Sequence, residues 1–530
     1  MTPRIVCFVC FGAALIAAQV PAATCDSLAA LKLGGTTIAL ATLVSPGAFK
    51  MPANVPAGGP FAPTPFAKLP AFCRVQGVIQ PTHDSHIEFE VWLPASGWNG
   101  KYHGEGNGGF AGSINYSALA ESVLNGYASS STDTGHEAGA TDARWALGHP
   151  EKIVDYGYRA IHETAKQSKA IIQAFYRSPA THSYFSSCSN GGREALAEAQ
   201  RYPADYDGLI AGAPALSMTR IVAAFNWDLQ ALSDNPASYI PAAKYSAIES
   251  AVVAPCDARD GVKDGVIDDP TKCDFKPAVL LCKGAETDHC LTPPQITALE
   301  KIYAGARNSH GEQIWPGFMP GGQAGPAGWG LWISAAKPDA SLQYAFGTQG
   351  AAYLIFQDPS RDFHQFNFDR DVKAADDIAG QRLNAVDPDL KGLKDRGGKL
   401  ILYHGWSDAA LPPLATVDYY RSVMAKMGAA QTFDFVRLYM VPGMQHCGDG
   451  PGPDSFGATP GDPYAPGGDM SAALERWVEK RAAPDKIIAA KFEAGRIVRT
   501  RPLCPYPQVA RYSGSGSTED AANFSCVANQ

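Results

Sequence analysis

The clearest chemical signal in the sequence is a serine in a turn of small residues. Ser189 lies in the segment SCSNGG at positions 187–192, between a short apolar run and a helix-like segment. A nucleophile elbow needs a tight strand-to-helix turn with small residues two positions before and after the serine. Ser187 and Gly191 hold those positions, so the spacing predicts Ser189 as a nucleophile and the N–H of Asn190 as an oxyanion donor. A polar turn before a helix is the alternative interpretation.

A serine needs a base and an orienting acid before it can attack a carbonyl at neutral pH. In α/β-hydrolases these partners follow the serine in the order Asp or Glu, then His, each after a core strand. The apolar run at 399–403 leads to Asp408, and the run at 433–440 leads to His446. Either residue alone could be an ordinary loop residue. The order and context of all three predict a triad of Ser189, His446 and Asp408.

The glycine-rich segment GEGNGGF at 104–110 precedes the serine in the chain. In α/β-hydrolases a loop in this place provides the second oxyanion N–H, and Gly109 is the best candidate for that donor. Glycines can also cradle a phosphate, but no Lys-Ser/Thr pair follows and no dinucleotide-binding pattern fits. We therefore expect the oxyanion role.

A cluster of carboxylates occupies the segment DARDGVKDGV at 257–266, where glycines punctuate the turns. Carboxylate and backbone carbonyl oxygens on a flexible loop suit Ca²⁺. The spacing is not that of an EF-hand, and solvated Asp-Gly turns are the alternative. The segment is a candidate calcium loop.

Alternating strands and helices must position these residues. Period-2 alternation predicts a strand at 86–93, and apolar runs predict buried strands at 183–187, 206–213, 399–403 and 433–440. Helical spacing predicts helices at 158–176, 194–200 and 470–480. This alternation implies an α/β fold, a mostly parallel sheet with helices on both faces.

The character of the chain changes at about residue 220, where cysteines crowd together and Gly/Pro-rich loops break the periodicity. Buried strands resume near residue 399. We therefore predict a core formed by residues 24–219 and 391–530, with residues 220–390 inserted as a lid domain.

The first 23 residues indicate the cellular compartment in which the protein is found. Arg4 precedes an apolar run at 5–18 and small residues at 20–23, the pattern of a cleaved secretory signal. A transmembrane anchor is the alternative, but the run is shorter than the ~20 residues that a bilayer needs. The formal net charge is −8 and no Lys/Arg cluster is present, which makes nucleic-acid binding improbable. We expect a secreted or periplasmic protein with no membrane attachment after cleavage.

Ten of the 12 cysteines lie beyond this signal, and an even number in an oxidising compartment predicts disulfides. No cysteine or histidine spacing typical of zinc is present. Cys188 and Cys447 each adjoin a predicted triad residue, so a disulfide between them would clamp the two loops, unless each pairs elsewhere. Pairing between sequence neighbours is natural for three further pairs: Cys256 with Cys273, Cys282 with Cys290, and Cys504 with Cys526.

Taken together, these segments resemble the tannase/feruloyl esterase family of α/β-hydrolases, and in particular its bacterial branch that contains MHETase, a terephthalate monoester hydrolase. The resemblance extends over nearly the whole chain beyond the signal. It rests on the serine motif at 188–192, YDGLIAGAP at 206–214, the acidic loop at 256–268, GGKLILYHGWSD at 397–408, VPGMQHC at 441–447 and TRPLCPY at 500–506.

The resemblance implies the Ser189–Asp408–His446 triad and a lid that covers it. It also implies a structural Ca²⁺ in the lid, held by Asp257, Asp260 and Asp264 with the carbonyls of Val262 and Val266. Trp332 and Phe346 fall at pocket aromatics of that branch, and Leu411 completes the predicted substrate pocket. The implied disulfides are Cys25–Cys73, Cys188–Cys447, Cys256–Cys273, Cys282–Cys290 and Cys504–Cys526.

The leading hypothesis is a secreted serine carboxylesterase, without an organic cofactor, that hydrolyses aromatic (phenolic) acid esters from plant cell walls or tannins. A terephthalate monoester hydrolase is a second hypothesis. The arginine with which MHETase grips its substrate carboxylate has no counterpart in this sequence, where Leu342 lies near its place. Two more hypotheses are a secreted peptidase with the same triad and a calcium-dependent carbohydrate-binding protein with an inactive hydrolase fold.

Overall fold

A nine-stranded sheet forms the centre of the computed structural model, which describes residues 24–52 and 66–529. The spatial order of its strands is β1-β2-β3-β5-β4-β6-β7-β8-β9. In chain order they are β1 (Thr36–Val44), β2 (Phe72–Ile79), β3 (Ile87–Pro94), β4 (Lys101–Glu105), β5 (Ala128–Thr132), β6 (His182–Cys188), β7 (Gly208–Gly212), β8 (Lys399–Gly405) and β9 (Val436–Val441).

The strands from β5 to β9 in this spatial order are parallel, whereas β1, β2 and β3 add an antiparallel edge. The parallel strands are almost entirely buried, as expected for a parallel sheet packed against helices. β7, β8 and β9 are mostly apolar, whereas β4, β5 and β6 also bury polar side chains such as Glu105, Ser130 and Ser186. The carboxyl ends of β4, β6, β8 and β9 therefore meet at one edge of the sheet, where the predicted site residues follow.

The α-helices vary from single turns to long core-packed segments. In chain order they are α1 (Tyr116–Leu124), α2 (Pro150–Val154), α3 (Ala160–Tyr176), α4 (Asn190–Arg201), α5 (Met218–Ser233), α6 (Tyr245–Cys256), α7 (Pro293–Ala304), α8 (Trp329–Trp332), α9 (Leu342–Gln349), α10 (Asp371–Ala375), α11 (Gln381–Leu383), α12 (Lys391–Asp395), α13 (Pro413–Met427), α14 (Ala429–Phe433) and α15 (Met470–Lys480). None of the helices in the described ranges is long and apolar enough to cross a membrane.

The chain between β7 and β8 contributes α5 to α12 and no strand to the sheet in its described residues. Part of this segment has its own apolar core, in which Ile248, Val252, Leu299 and Trp329 are buried. The lid boundaries at 220 and 390 stay a prediction. The predicted signal at 1–23 lies outside the described residues.

Several element predictions needed correction. The strand expected from 433 begins at Val436, because residues 429–433 form the short helix α14. Helix α4 begins at Asn190, four residues before the predicted start, directly after the serine. In β3 the alternation fails at Glu90, which is buried because Arg74, Gln76, Trp92 and Tyr116 donate hydrogen bonds to it.

Two small hairpins follow the main sheet near the C-terminus. β10 (Ile487–Glu493) pairs with β11 (Arg496–Leu503), and β12 (Gln508–Tyr512) pairs with β13 (Phe524–Ala528), both antiparallel. Neither hairpin was predicted from the sequence. The predicted α/β architecture, a mostly parallel sheet with helices, is confirmed.

Candidate active site

Ser189 lies in a sharp turn between β6 and α4. Its backbone has φ 65° and ψ −123°, a conformation that non-glycine residues rarely adopt. A Cβ added at Gly191 would lie only 1.9 Å from the Oγ of Ser187, and one at Gly192 only 2.3 Å from the carbonyl oxygen of Gly212. The two glycines therefore let the helix start close to the strands, and the strained turn exposes the serine at the sheet edge.

Ser189, His446 and Asp408 form a continuous hydrogen-bonded chain. The Oγ of Ser189 lies 2.9 Å from Nε2 of His446, and Nδ1 of His446 lies 2.8 Å from Oδ2 of Asp408. Each of the three residues follows the carboxyl end of a parallel strand. This geometry lets the imidazole accept the serine proton while the carboxylate holds the other ring nitrogen.

The Asp408 carboxylate is held as an anion. Burial alone would raise the pKa of Asp408, but the charge of His446 and the hydrogen bonds from His404 and His446 hold it well below its ordinary value. The N–H groups of Ala410 and Leu411 donate to its Oδ1 at 2.7 and 2.8 Å. A permanently ionised Asp408 can stabilise an imidazolium at His446.

His404 is a partner of Asp408 that the sequence analysis missed. Its Nε2 lies 3.1 Å from both Oδ2 of Asp408 and the carbonyl oxygen of Leu411, so this nitrogen carries a proton and donates it. Its Nδ1 lies 2.7 Å from the hydroxyl of Thr416. His404 stands in the motif HGWSD, but nothing local to the sequence showed that its ring would reach the carboxylate.

The predicted oxyanion donors flank Ser189. Gly109 has φ 58°, and a Cβ there would lie 2.4 Å from the carbonyl oxygen of Ala140, so the position requires glycine. In the described chain, neither the N–H of Gly109 nor that of Asn190 has a hydrogen-bond acceptor. Both residues line the same cleft as Ser189 and His446, where the two N–H groups are available to an oxyanion.

The hydroxyl of Tyr156 contacts both predicted oxyanion residues. Its hydroxyl lies 3.1 Å from the carbonyl oxygen of Gly109 and 2.9 Å from Oδ1 of Asn190. Glu194 accepts from Nδ2 of Asn190 at 2.9 Å and from the N–H of Asn107 at 3.0 Å. The Glu194 side chain is buried, and this burial raises its pKa to about 7 against the opposing charge of Arg193. None of these supports was predicted.

The cleft over Ser189 and His446 is apolar and aromatic, with about 480 Å³ of space that opens to solvent. The predicted pocket residues Trp332, Phe346 and Leu411 line it. The Trp332 ring meets His446 edge-on, with centroids 4.9 Å apart, and stacks 6.1 Å from Phe346. The lining residues that the sequence analysis missed are Phe110, Ala215, Met218, Ile221, Val222, Phe225 and Ala410.

The described residues that line this cleft include no arginine or lysine. Leu342 begins α9, one turn before Phe346. Lys337 is a nearby cation in the sequence, but its side chain is exposed and pairs with Asp339. The charge of a substrate carboxylate would meet no fixed positive side chain in this cleft.

Comparison with known proteins identifies the family of this chain. The family model "Tannase and feruloyl esterase" matches residues 73–527. The chain belongs to the tannase and feruloyl esterase family. It is therefore a carboxylic ester hydrolase.

Individual relatives agree with this assignment. The esterase is 44% identical over 544 residues to an uncharacterized esterase of Xanthomonas campestris, covering 97% of this chain and 93% of that protein. It is 34% identical over 531 residues to mono(2-hydroxyethyl) terephthalate hydrolase of Piscinibacter sakaiensis, covering 87% and 86%. The crystal structure of feruloyl esterase B from Aspergillus oryzae matches with a TM-score of 0.85 at 27% identity, covering 95% of this chain and 99% of that chain.

The described residues of the esterase form five disulfides, the same pairs that the family resemblance implied. Cys188–Cys447 joins the residue before Ser189 to the residue after His446, with the two Cα atoms 6.0 Å apart. The remaining pairs are Cys25–Cys73, Cys256–Cys273, Cys282–Cys290 and Cys504–Cys526.

The candidate calcium loop crowds several carboxylates together. Burial and the nearby charges of Asp264 and Asp257 raise the pKa of Asp260 to about 6. Asp268, which was not predicted, has a pKa raised to about 8 by burial and by the charge of Asp260. Hard oxygen donors and excess negative charge fit Ca²⁺.

The loop does not bring one carboxylate oxygen from each of Asp257, Asp260 and Asp264 within 4.8 Å of the others. These oxygens accept hydrogen bonds instead. The N–H of Asp264 donates to Asp257 at 3.1 Å, the N–H of Val262 donates to Asp260 at 2.8 Å, and Arg501 donates to Asp264. Binding would therefore require these oxygens to turn towards the ion.

Proposed function

We propose that this esterase is an exported serine carboxylesterase that hydrolyses esters of phenolic acids through an acyl-enzyme. The observation that carries the proposal is the hydrogen-bonded chain from Ser189 to Asp408, with distances of 2.9 and 2.8 Å, at the floor of an aromatic cleft. The feruloyl esterases among its relatives support the same class of substrate.

The reaction begins when the Oγ of Ser189 attacks the ester carbonyl and Nε2 of His446 takes its proton. The N–H groups of Gly109 and Asn190 stabilise the oxyanion, at roughly 3–4 kcal/mol per donor. The imidazolium then gives its proton to the leaving alcohol as the ester C–O bond breaks. His446 next activates a water molecule, which releases the acid and restores the hydroxyl of Ser189.

The pocket favours a neutral aromatic acyl group. Packing a substrate ring against Trp332 and Phe346 adds roughly 0.5–1.5 kcal/mol beyond area burial. A terephthalate monoester carries a carboxylate on the far side of its ring. Since no cation is present among the described residues that line the cleft, that group would lose hydration without a charged partner, at a substantial free-energy cost.

The proposal also includes export of the chain and a structural Ca²⁺. The segment 1–23 directs export, and the five disulfides fit an oxidising compartment. A structural Ca²⁺ would be held in the predicted lid by Asp257, Asp260 and Asp264, after their oxygens turn towards it, with the carbonyls of Val262 and Val266, and it would take no part in the chemical step.

Labelling with a fluorophosphonate tests the nucleophile. We expect one adduct per chain, located on Ser189 by peptide mass spectrometry, and none in S189A. S189A should melt like the wild type but lose at least about three orders of magnitude in kcat on methyl ferulate. S187A, the matched neighbouring serine, should label normally.

An unlabelled wild type would favour an inactive carbohydrate-binding protein. Labelling without hydrolysis of methyl ferulate, but with cleavage of peptide anilides, would favour the peptidase. Retention of more than a few per cent of kcat in S189A would contradict the triad.

A further inference from the structure

A second cluster of ionisable side chains lies outside the active site. His162 belongs to α3, Glu198 to α4, and Asp205 to the connection between α4 and β7. One ligand atom from each lies within 4.8 Å of the other two, and no other three or more His, Cys, Asp or Glu residues in the described part of the chain do so. The proposed ester hydrolysis uses none of the three.

Glu198 is the innermost member of the cluster. Glu198 is 1% exposed, and neither of its carboxylate oxygens accepts a hydrogen bond from a donor among the described residues. A hydrogen bond with the neighbouring carboxyl of Asp205 requires a proton on one of the two groups. Burying an unpartnered carboxylate is costly. Burial, together with the negative charge of Asp205, raises the pKa of Glu198 well above its ordinary value. The group therefore needs a cation or a proton.

Lys169, which lies beside the cluster, already has a hydrogen-bond partner other than Glu198. Lys169 donates to the backbone carbonyl oxygen of Asp205 and makes no hydrogen bond to Glu198. When Glu198 and Asp205 are both ionised, their two negative charges exceed the single positive charge of Lys169 by one. A divalent ion would more than offset this excess.

The ring of His162 also lies against the cluster. Its Nδ1 lies 2.5 Å from Oδ2 of Asp205, and its ring stacks on Tyr202 with centroids 3.7 Å apart and an interplanar angle of 8°. The side chains of His162 and Asp205 are 24% and 13% exposed. An ion can therefore enter from solvent past these two residues and reach Glu198.

We propose that His162, Glu198 and Asp205 bind a divalent transition-metal ion, for which Zn²⁺ is the best match. One imidazole nitrogen with two carboxylate oxygens is a donor set that suits Zn²⁺ better than Ca²⁺, which prefers oxygen alone. Bonds of roughly 2.0–2.1 Å in a tetrahedral site place ligand atoms about 3.3 Å apart. His162 and Asp205 must therefore separate by about 0.8 Å, and water takes the fourth position.

The site would have a structural role. Helix α4 begins directly after Ser189 and carries Glu198, so the ion would tie the nucleophile helix to α3 and to the segment that leads into β7. A ligand that binds only the folded chain raises its melting temperature. The inference is independent of the proposed substrate.

Zinc titration of the full mature protein tests the site. The protein is stripped with EDTA, returned to excess CaCl₂ so that the lid loop is saturated, and titrated with ZnCl₂ in a calorimeter. We expect one Zn²⁺ per chain and a higher melting temperature. E198Q should weaken binding by about 100-fold or more, since loss of a partner of a metal ligand already costs roughly 10–100-fold.

H364Q is the matched control. His364 and Asp234 form an exposed pair with Nδ1 and Oδ1 2.9 Å apart, without a buried third ligand among the described residues, so H364Q should bind Zn²⁺ like the wild type. If E198Q does not fold, H162Q tests the site instead. The His162 side chain is partly exposed, so its replacement should disturb the fold less. Equal zinc affinity in the wild type and in the folded site variants, or no zinc bound by the wild type, would overturn the site and leave a proton shared by Glu198 and Asp205.

Discussion

At the residue scale, the two predicted oxyanion residues share a contact with one buried hydroxyl, that of Tyr156. Tyr156 holds both the carbonyl of Gly109 and the side chain of Asn190. The N–H groups of these two residues must point at the developing oxyanion to lower the barrier. Tyr156 is thus a positioning residue beneath the predicted oxyanion hole.

Y156F should lower kcat on methyl ferulate by about 3- to 10-fold and leave KM nearly unchanged. Loss of a buried hydrogen bond is worth about 1 kcal/mol, and here it acts on the transition state. Y158F, two residues along the chain, is the control and should behave like the wild type. A change in KM alone, with kcat intact, would contradict a role in oxyanion positioning.

Glu194 should make stability depend on pH. Its folded-state pKa is raised to about 7 from an ordinary value of 4.5, so the folded chain binds this proton more tightly than the unfolded chain. Its contribution is present below about pH 4.5 and is lost as the pH rises towards 7, by about 3 kcal/mol. E194Q does not titrate there. The difference in unfolding free energy between wild type and E194Q should shift by that amount between about pH 4.5 and 8 in urea melts. If the unfolding free energies of the wild type and of E194Q change with pH in the same way, the raised pKa of Glu194 is contradicted.

The convergence of Ser189, Asp408 and His446 was predictable because each stands in a short motif after a strand of the sheet. His404, Tyr156 and Glu194 were not. Their partners are set by how α4, the segment around Tyr156 and the loop after β8 pack together, and no local spacing encodes those contacts.

At the scale of elements, the Cys188–Cys447 disulfide joins the end of β6 to the loop after β9. It lies next to both Ser189 and His446. C188A/C447A should lower kcat by up to about 100-fold, because displacements of about 1 Å cost that much in a catalytic site. C282A/C290A, which removes a lid disulfide, is the control. Equal kcat in the two double variants would show that the clamp does not position the triad.

The acidic loop at 257–268 should bind Ca²⁺. EDTA should lower the melting temperature and added CaCl₂ should restore it, because the ion binds only the folded loop. D260N should have a lower melting temperature than the wild type, and neither EDTA nor CaCl₂ should change that temperature. An EDTA-insensitive melt, with no calcium in elemental analysis, would leave the loop as solvated turns.

The accuracy of the predicted element starts did not follow the length of the apolar run, since the strand predicted at 433–440 begins only at Val436. The helix at 470–480 and the strand starting at 399 were predicted with their structural starts. The hairpins β10 to β13 were missed. Their strands are partly exposed and carry charged residues such as Arg496 and Arg499, so the hydrophobic pattern is weak there.

At the scale of the whole molecule, the cleft over Ser189 forms where the segment between β7 and β8 meets the residues that follow β6 and β9. Trp332 and Phe346 come from the helices between β7 and β8, whereas Ser189 and His446 come from the core. The composition of the sequence predicted an insertion at 220–390, and that domain division stays a prediction. The apolar face of α5, with Met218, Ile221 and Phe225, was not recognised as pocket wall, because periodicity alone does not distinguish a cleft lining from a core.

The most direct test of the account compares kcat/KM for methyl ferulate and for mono(2-hydroxyethyl) terephthalate with the wild-type enzyme. A cleft with aromatic walls and no cation among its described lining residues predicts at least a roughly 10-fold preference for methyl ferulate, since a factor of ten needs only about 1.4 kcal/mol and an unpaired carboxylate costs more than that. L342R, one turn before Phe346, should reduce the ratio of kcat/KM for methyl ferulate to kcat/KM for the terephthalate monoester. A wild-type preference for the terephthalate monoester would contradict the account.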